Sequence, residues 1–509
     1  MKPTQKIIFN TAVLYMKIVI CMAISICTVP IVLHSLGESD YGLFNLIAGI
    51  ISMLAFINGA MTVSTQRYLS VTIGEKDKNK LLQVYNISIL LHIIIGLIIV
   101  LLIEGSIPIL FKYFLNINSG QEDVARLLFH FLVISMFFSV VTVPFDAVLN
   151  SYENMLFFSI SGIIEYLLKL AVALSLTLFS SARLEIYGIS ITLITILVLI
   201  IKYVYCRNKY KDLHISPRSC RNKKLFIEMF GFAGWNTLSS LAMVSRNQGI
   251  AIILNHFHGT VINAAYGIAN QVNAALGYFS STIQKSINPQ LMESEGLHAQ
   301  ERLQNLTFAL TKYSVLILGA MSLPVIIELP FITGIWIGNV PQYTIEFTRI
   351  IIILSLITQS SSGLMSAVQS SGRVKWYTTS VSIMLLITLP LSYFALKYFL
   401  IPTYALLIAC VIEIAVFFVR LMFANKLQSI PVWEYISKAI LPNLAIFISI
   451  GACLYAITTI METSFIRLII VTSLDISLYC ILSYHLAMNK GEKEYICNVA
   501  KKIKNKIKK

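Results

Sequence analysis

Apolar runs long enough to cross a bilayer follow one another along almost the whole of this 509-residue chain, and nothing else limits its fold so tightly. A helix needs about 20 mostly apolar residues to span a hydrocarbon core of roughly 30 Å. The bilayer core offers no water to backbone N–H and C=O groups, so runs of this length read as helices that satisfy themselves. They are predicted at 8–33, 42–66, 82–104, 127–150, 155–179, 184–206, 227–255, 261–285, 307–328, 346–370, 376–398, 402–424, 436–458 and 464–487. The short polar segments Ser151-Tyr-Glu-Asn154 and Ser371-Gly-Arg-Val-Lys375 divide the fourth from the fifth and the tenth from the eleventh. The predicted fold is an all-α integral membrane protein of about fourteen transmembrane helices, with no room for a sizeable soluble domain.

Only 12% of the residues are charged, about half the share of an ordinary soluble chain. The net charge of +15 raises the question of nucleic acid, but the cations sit in short segments between apolar runs, where the positive-inside rule places them. With the N-terminus inside, the inner segments hold Lys2, Lys6, Arg67, Lys76, Lys78, Lys80, the basic block from Lys202 to Lys224, Lys285, Arg302 and Lys312. They continue with Arg373, Lys375, Arg420, Lys426, Lys438 and the tail from Lys490 onward, whereas the outer segments hold only Lys112, Arg126, Arg183, Arg349, Lys397 and Arg467. Both ends are thus predicted to be cytoplasmic, with membrane lipid rather than nucleic acid as the partner of the positive charge. Lys2 and Lys6 precede an apolar run as in a signal peptide, but no small-x-small cleavage site follows, and a retained first helix is expected. The eight cysteines form no C-x-x-C pair and read as small apolar residues, not as disulfides or metal ligands.

The chain repeats itself. Ala147-Val-Leu-Asn-Ser151 at the end of the fourth span answers Ala367-Val-Gln-Ser-Ser371 at the end of the tenth. Tyr41-Gly42 and Tyr266-Gly267, and Tyr187 and Tyr404, match at nearly the same separation and in the same inside-out sense. Two parallel six-helix lobes around a central cavity are expected, at 1–206 and 227–427, joined by a basic cytoplasmic linker at 207–226. Residues 428–509 would then be an appended helix pair and basic tail. Parallel repeats about an axis along the membrane normal are a transporter architecture.

Phosphate-loop, zinc-protease, nucleophile-elbow and C-x-x-C signatures do not occur, so no catalytic residue, metal or cofactor is assigned. The informative residues are the polar ones inside the spans, because a charge near the bilayer centre is costly unless it meets water or a partner. Lys17 and Arg246 read as a cationic cavity wall or, alternatively, as members of intramembrane ion pairs or cations that snorkel to the headgroups. Glu165 and Lys169 lie four apart and can neutralise each other. Asp146 and Glu413 are candidate ion-coupling carboxylates or buried hydrogen-bonded acids, and His92 reads as a satisfied interhelical histidine. The eighth span carries Asn263, Tyr266, Asn270, Asn273 and Gln284 at helical spacing, and the second carries Asn45, Thr62 and Gln66. Such stripes line a wet cavity or bind neighbouring helices. Arg67 and Lys285 end those two spans and would set positive charge at a cytoplasmic mouth.

The run Pro30-Ile-Val-Leu-His-Ser-Leu-Gly-Glu-Ser-Asp-Tyr-Gly-Leu-Phe-Asn45, with Phe56-Ile-Asn-Gly-Ala60 and Ser64-Thr-Gln-Arg-Tyr-Leu-Ser70, resembles the start of bacterial polysaccharide (O-antigen type) flippases. These belong to the multidrug/oligosaccharidyl-lipid/polysaccharide (MOP) exporter superfamily. Ala264-Ala-Tyr-Gly-Ile-Ala-Asn270 and Ile287-Asn-Pro-Gln290 are similar to the matching part of the second lobe. The resemblance extends to about residue 427. It implies a secondary transporter of the inner membrane that flips an undecaprenyl-pyrophosphate-linked oligosaccharide outward by alternating access. A monomer is expected because the cavity would lie within one chain, and a complex with other polysaccharide-assembly proteins is the alternative. Lys17, Arg246, Arg67 and Lys285 would meet the pyrophosphate, and the amide stripes the sugar hydroxyls. The appended pair resembles that of fourteen-helix relatives such as lipid II flippases. The competing readings are an organic-cation exporter of the same superfamily, a membrane-embedded glycan polymerase or acyltransferase, and a non-transporting scaffold.

Overall fold

A computed structural model describes residues 3–52, 55–111, 121–179, 181–337, 340–488 and 492–493 of the protein, and these form helices and turns with no strand among them. The helices are α1 (Pro3–Leu36), α2 (Glu38–Ser52), α3 (Ala55–Glu75), α4 (Lys78–Ile109), α5 (Glu122–Ser151), α6 (Met155–Ser175), α7 (Arg183–Lys209) and α8 (Lys223–Gly296). They continue with α9 (Gln300–Ile337), α10 (Thr344–Gln359), α11 (Ser362–Ser371), α12 (Lys375–Phe399) and α13 (Thr403–Gln428). The last two are α14 (Val432–Ile460) and α15 (Phe465–Ala487). Both predicted polar hairpins separate helices, and Asn154 caps α6 by accepting the Phe157 amide at 3.3 Å.

Among the described residues 10 helices are long and apolar enough to cross a membrane, or 11 when α10 and α11, bent by 41° at a short break, count as one span. The expected number of about fourteen is not reached by this measure. The three predicted spans outside it, 42–66, 227–255 and 261–285, fall in α2–α3 and α8. The described residues of these segments are helical, but they carry the Asn, Gln, Ser and Arg residues of the polar stripes, so composition alone no longer marks them as lipid-facing. Leu101, Leu178, Val411 and Ile469 leave more than half of their surface exposed, as helices solvated by lipid tails do. Trp336, Trp376 and Trp433 are also exposed and stand at helix ends, where the amphipathic indole suits the headgroup boundary.

The chain divides into two compact units, Met1–Leu241 with Lys285–Ala299, and Ala242–Gln284 with Gln300–Lys509. In the first, Leu128, Phe129 and Val133 of α5 and Leu81, Val84 and Ile87 of α4 are buried. Lipid tails are as apolar as leucine, so these helices associate through close packing rather than escape from water. Small residues permit that closeness: a Cβ on Gly96 would stand 2.9 Å from the Phe137 ring, and one on Gly188 would stand 2.6 Å from Leu128. Near the end of α8 the backbones themselves meet, since a Cβ on Gly296 would fall 1.9 Å from the Val71 carbonyl oxygen.

In the second unit the break between α10 and α11 frees backbone groups that side chains then satisfy, as buried irregular backbone requires. Tyr435 donates to the Ser360 carbonyl at 2.7 Å, and Thr311 accepts the Gly363 amide at 3.0 Å. The 74-residue α8 would run about 110 Å if straight, but it turns at Gly259, whose φ of +78° suits a residue without Cβ. Tyr266, beyond the turn, donates to the Asn247 carbonyl before it at 3.2 Å, so within 242–284 the chain folds back beside itself.

Candidate functional site

In the first unit Lys17, near the middle of α1, reaches toward α6. Its Nζ lies 4.1 Å from the Phe158 ring centroid, within cation–π range. Gly162, one turn further along α6, makes room for it: a Cβ there would stand 2.4 Å from Lys17 Cε and 2.7 Å from Nζ. Lys202 of α7 faces the same ring at 5.8 Å and pairs with Asp146 of α5 at 2.7 Å. Lys285 of α8 stands within electrostatic reach of both Lys17 and Asp146. Five helices thus bring three ammonium groups around one carboxylate. Among the described residues Lys17 and Lys285 have no carboxylate within ion-pair distance. Glu165 and Lys169 pair at 2.6 Å, as their spacing predicts, and add no net charge.

Arg67 belongs to other surroundings. Its guanidinium packs on the rings of Tyr68 and Phe232 at 4.6 and 5.2 Å and feels Glu295, Glu75 and Glu228. Of the second-span stripe, Gln66 is buried and Thr62 donates to the Asn58 carbonyl of its own helix at 2.7 Å. The side chain of Asn45 lies outside the described residues. His92 bonds the Ser88 carbonyl one turn back on its own helix at 2.6 Å, so the predicted interhelical bond is not the one formed.

In the second unit Arg246 is not a free wall cation. Its Nη1 donates to Glu413 at 2.8 Å, and Arg420 donates to the other oxygen of the same carboxylate at 2.8 Å and to Ser361 at 2.6 Å. All three charged side chains are buried, and the ion-pair alternative drawn from the sequence is the geometry found. The eighth-span stripe fares differently. Asn263, Tyr266, Asn270 and Asn273 line a cavity of about 530 Å³, with Asn247 and Gln248 from the other arm of α8. Gln284 lies apart from it and donates to Gln359 at 3.1 Å. Its amide and phenol groups can both donate and accept hydrogen bonds.

Four cations that segment counting assigns to loops are buried partners instead: Lys202, Arg420, Lys312 and Arg467. Lys312 bonds Glu492 at 2.7 Å and the Ala487 carbonyl at 3.1 Å. Arg467 donates twice to Glu328, at 2.9 and 2.8 Å. Their position at the ends of apolar runs was the available signal, but their partners lie on distant helices.

A family model described as polysaccharide biosynthesis protein matches residues 7–295. The chain belongs to that family. Its fold is that of solved transporters of the MOP superfamily. Among solved structures, the outward-facing form of a multidrug resistance MATE transporter of the MOP superfamily is 12% identical, with a TM-score of 0.72 over 84% of this chain and 96% of that one. A MOP superfamily transporter from Pyrococcus furiosus, titled for the reverse polarity of its binding pocket, is 13% identical, with a TM-score of 0.71 over 84% and 96%. A MATE in the straight conformation is 14% identical, with a TM-score of 0.70 over 84% and 96%. At these identities the likeness concerns the fold. None of the curated proteins compared matches the chain.

Proposed function

We propose that this family member is a flippase that moves a lipid-linked oligosaccharide, carried on undecaprenyl pyrophosphate, from the inner to the outer leaflet of the inner membrane for cell-surface polysaccharide synthesis. It works as a monomer with both termini in the cytoplasm, by alternating access. The observation that carries the reading is the cationic surplus of the first unit. Asp146 is taken up by Lys202, which leaves Lys17 and Lys285 to attract an anion into a low-dielectric site, where such attraction is strong. The amide-lined cavity beside α8 suits sugar hydroxyls. An exporter of organic cations would want the opposite sign at Lys17 and Lys285.

The test is leaflet exchange in liposomes of a fluorescent undecaprenyl-pyrophosphate oligosaccharide. Wild type should exchange it, and a folded Lys17→Ala/Lys285→Ala variant should do so at least about tenfold more slowly, the loss of roughly one charge-assisted contact. Export of an organic cation with no exchange of the glycolipid would overturn the reading in favour of the exporter.

A further inference from the structure

Every fourth residue along α15, namely Arg467, Val471, Asp475 and Tyr479, is buried, which makes one face of this helix its packing seam. Arg467 is fully engaged by Glu328 and by the Met461 carbonyl. Asp475, two turns further on, is 0% exposed, and neither carboxylate oxygen has a hydrogen-bond partner among the described residues. The side chains packed along this stretch are Leu316 and Leu323 of α9 and Ile446, Ile450 and Leu454 of α14. Gly319 of α9 makes room for the Tyr479 hydroxyl, since a Cβ there would lie 2.6 Å from it. Among the described residues that hydroxyl has no hydrogen-bond partner either.

The charged and titratable groups near this seam are committed elsewhere. On α9, Glu328 is held by Arg467, and Lys312 by Glu492 and the Ala487 carbonyl, with Tyr313 beneath its ammonium at 4.9 Å. On α14, Glu434 and Lys438 pair with each other in the exposed first turns, Tyr435 donates to Ser360, and Tyr455 is exposed. On α15 itself Cys480 is exposed, and Tyr484 and His485 face each other at its end. Among the described residues no cation is left to neutralise Asp475. An ionised carboxylate buried without a partner is strongly unfavourable, whereas a neutral acid is an ordinary interior polar group.

We propose that Asp475 is a proton-binding site of the C-terminal helix pair: its carboxyl carries a proton while α15 is seated on α9 and α14, and loss of that proton loosens the seat. None of these residues belongs to the cation cluster or the amide-lined cavity, so the proton site does not depend on the identity of the substrate.

The sign of the pH dependence follows from linkage. A carboxyl exposed on unfolding ionises near its ordinary value of about 4, so above that pH the folded state binds one more proton than the unfolded state. Stability owed to Asp475 therefore falls as pH rises, until the folded carboxyl also ionises. The experiment compares thermal unfolding of the full-length protein in nanodiscs from acid to alkaline pH for wild type, Asp475→Asn and Asp475→Leu. Wild type and the variants should agree most closely in acid. As pH rises, the folded-to-unfolded ratio of wild type should fall relative to both by up to about tenfold per pH unit. Infrared spectra at neutral pH should show a protonated-carboxyl band in wild type that is missing from both variants. Parallel unfolding curves, an infrared band unchanged by substitution, or failure of both neutral variants to assemble even in acid would overturn the proposal.

Discussion

Lys17 in the first unit and Arg246 in the second unit are alike in the sequence, each a lone cation inside a predicted span, yet their surroundings differ. Lys17 rests on the Phe158 ring, in a pocket opened by Gly162, with Lys202 and Lys285 as neighbours. Arg246 shares Glu413 with Arg420, and Ser361 at the helix break completes the set. One arrangement keeps charge available, and the other consumes it in holding helices together. An intramembrane charge therefore signals function only when its counter-charge is missing or already engaged, and this depends on how neighbouring helices are rotated.

Glu413→Gln tests that contrast with the largest expected effect. It leaves two buried guanidinium groups facing a neutral amide, and breaking a buried ion pair by removing one partner costs about 3–5 kcal/mol. Thermal unfolding in detergent should show the loss. A change below about 1 kcal/mol would mean that Arg246 and Arg420 reach water, which would place them with Lys17 rather than against it.

Much of the helical scaffold was legible in the sequence because its physics is local. Ser151–Asn154 and Ser371–Lys375 interrupt apolar runs, and helices end and begin there. The helical spacing of Asn263, Tyr266, Asn270 and Asn273 was enough to place them on one face, and that face lines a cavity. What was not legible is pairing between helices. Lys202, Arg420, Lys312 and Arg467 sit where an apolar run fades, so they count as loop charges until Asp146, Glu413, Glu492 and Glu328 are seen opposite them. Asp475 carried the same mark as Glu413, one acid inside an apolar run, but the sequence did not show that it would be buried without a partner.

Lys17→Met sharpens the contrast from the other side. With no carboxylate left unpaired, the substitution removes a costly charge and a cation–π contact worth about 0.5–2 kcal/mol, against an apolar thioether that fills much of the same space. Stability should stay within about 1 kcal/mol of wild type, on the stabilising side, while glycolipid exchange falls. Such a trade is typical where function keeps a strained charge in place. A loss approaching that of Glu413→Gln would show that Lys17 is a structural partner and would dissolve the distinction between the units.

Lys169→Met should do least. Lys169 and Glu165 form an i,i+4 pair at 2.6 Å, but each side chain keeps 31% of its surface exposed, so the pair is partly solvated and each member can reorient toward water or headgroups. Pairs of this kind contribute about 0–1 kcal/mol, and unfolding should move by no more than that. The variant does, however, strip Glu165 of its counter-charge on the same helix as Phe158 and within electrostatic reach of Lys17 and Lys202. If the cation cluster binds the pyrophosphate, a carboxylate left uncompensated there should weaken exchange at high glycolipid dilution and leave it nearly intact at saturation. Exchange reduced equally at all concentrations would instead make Lys169 part of the moving machinery, not a spectator beside the site.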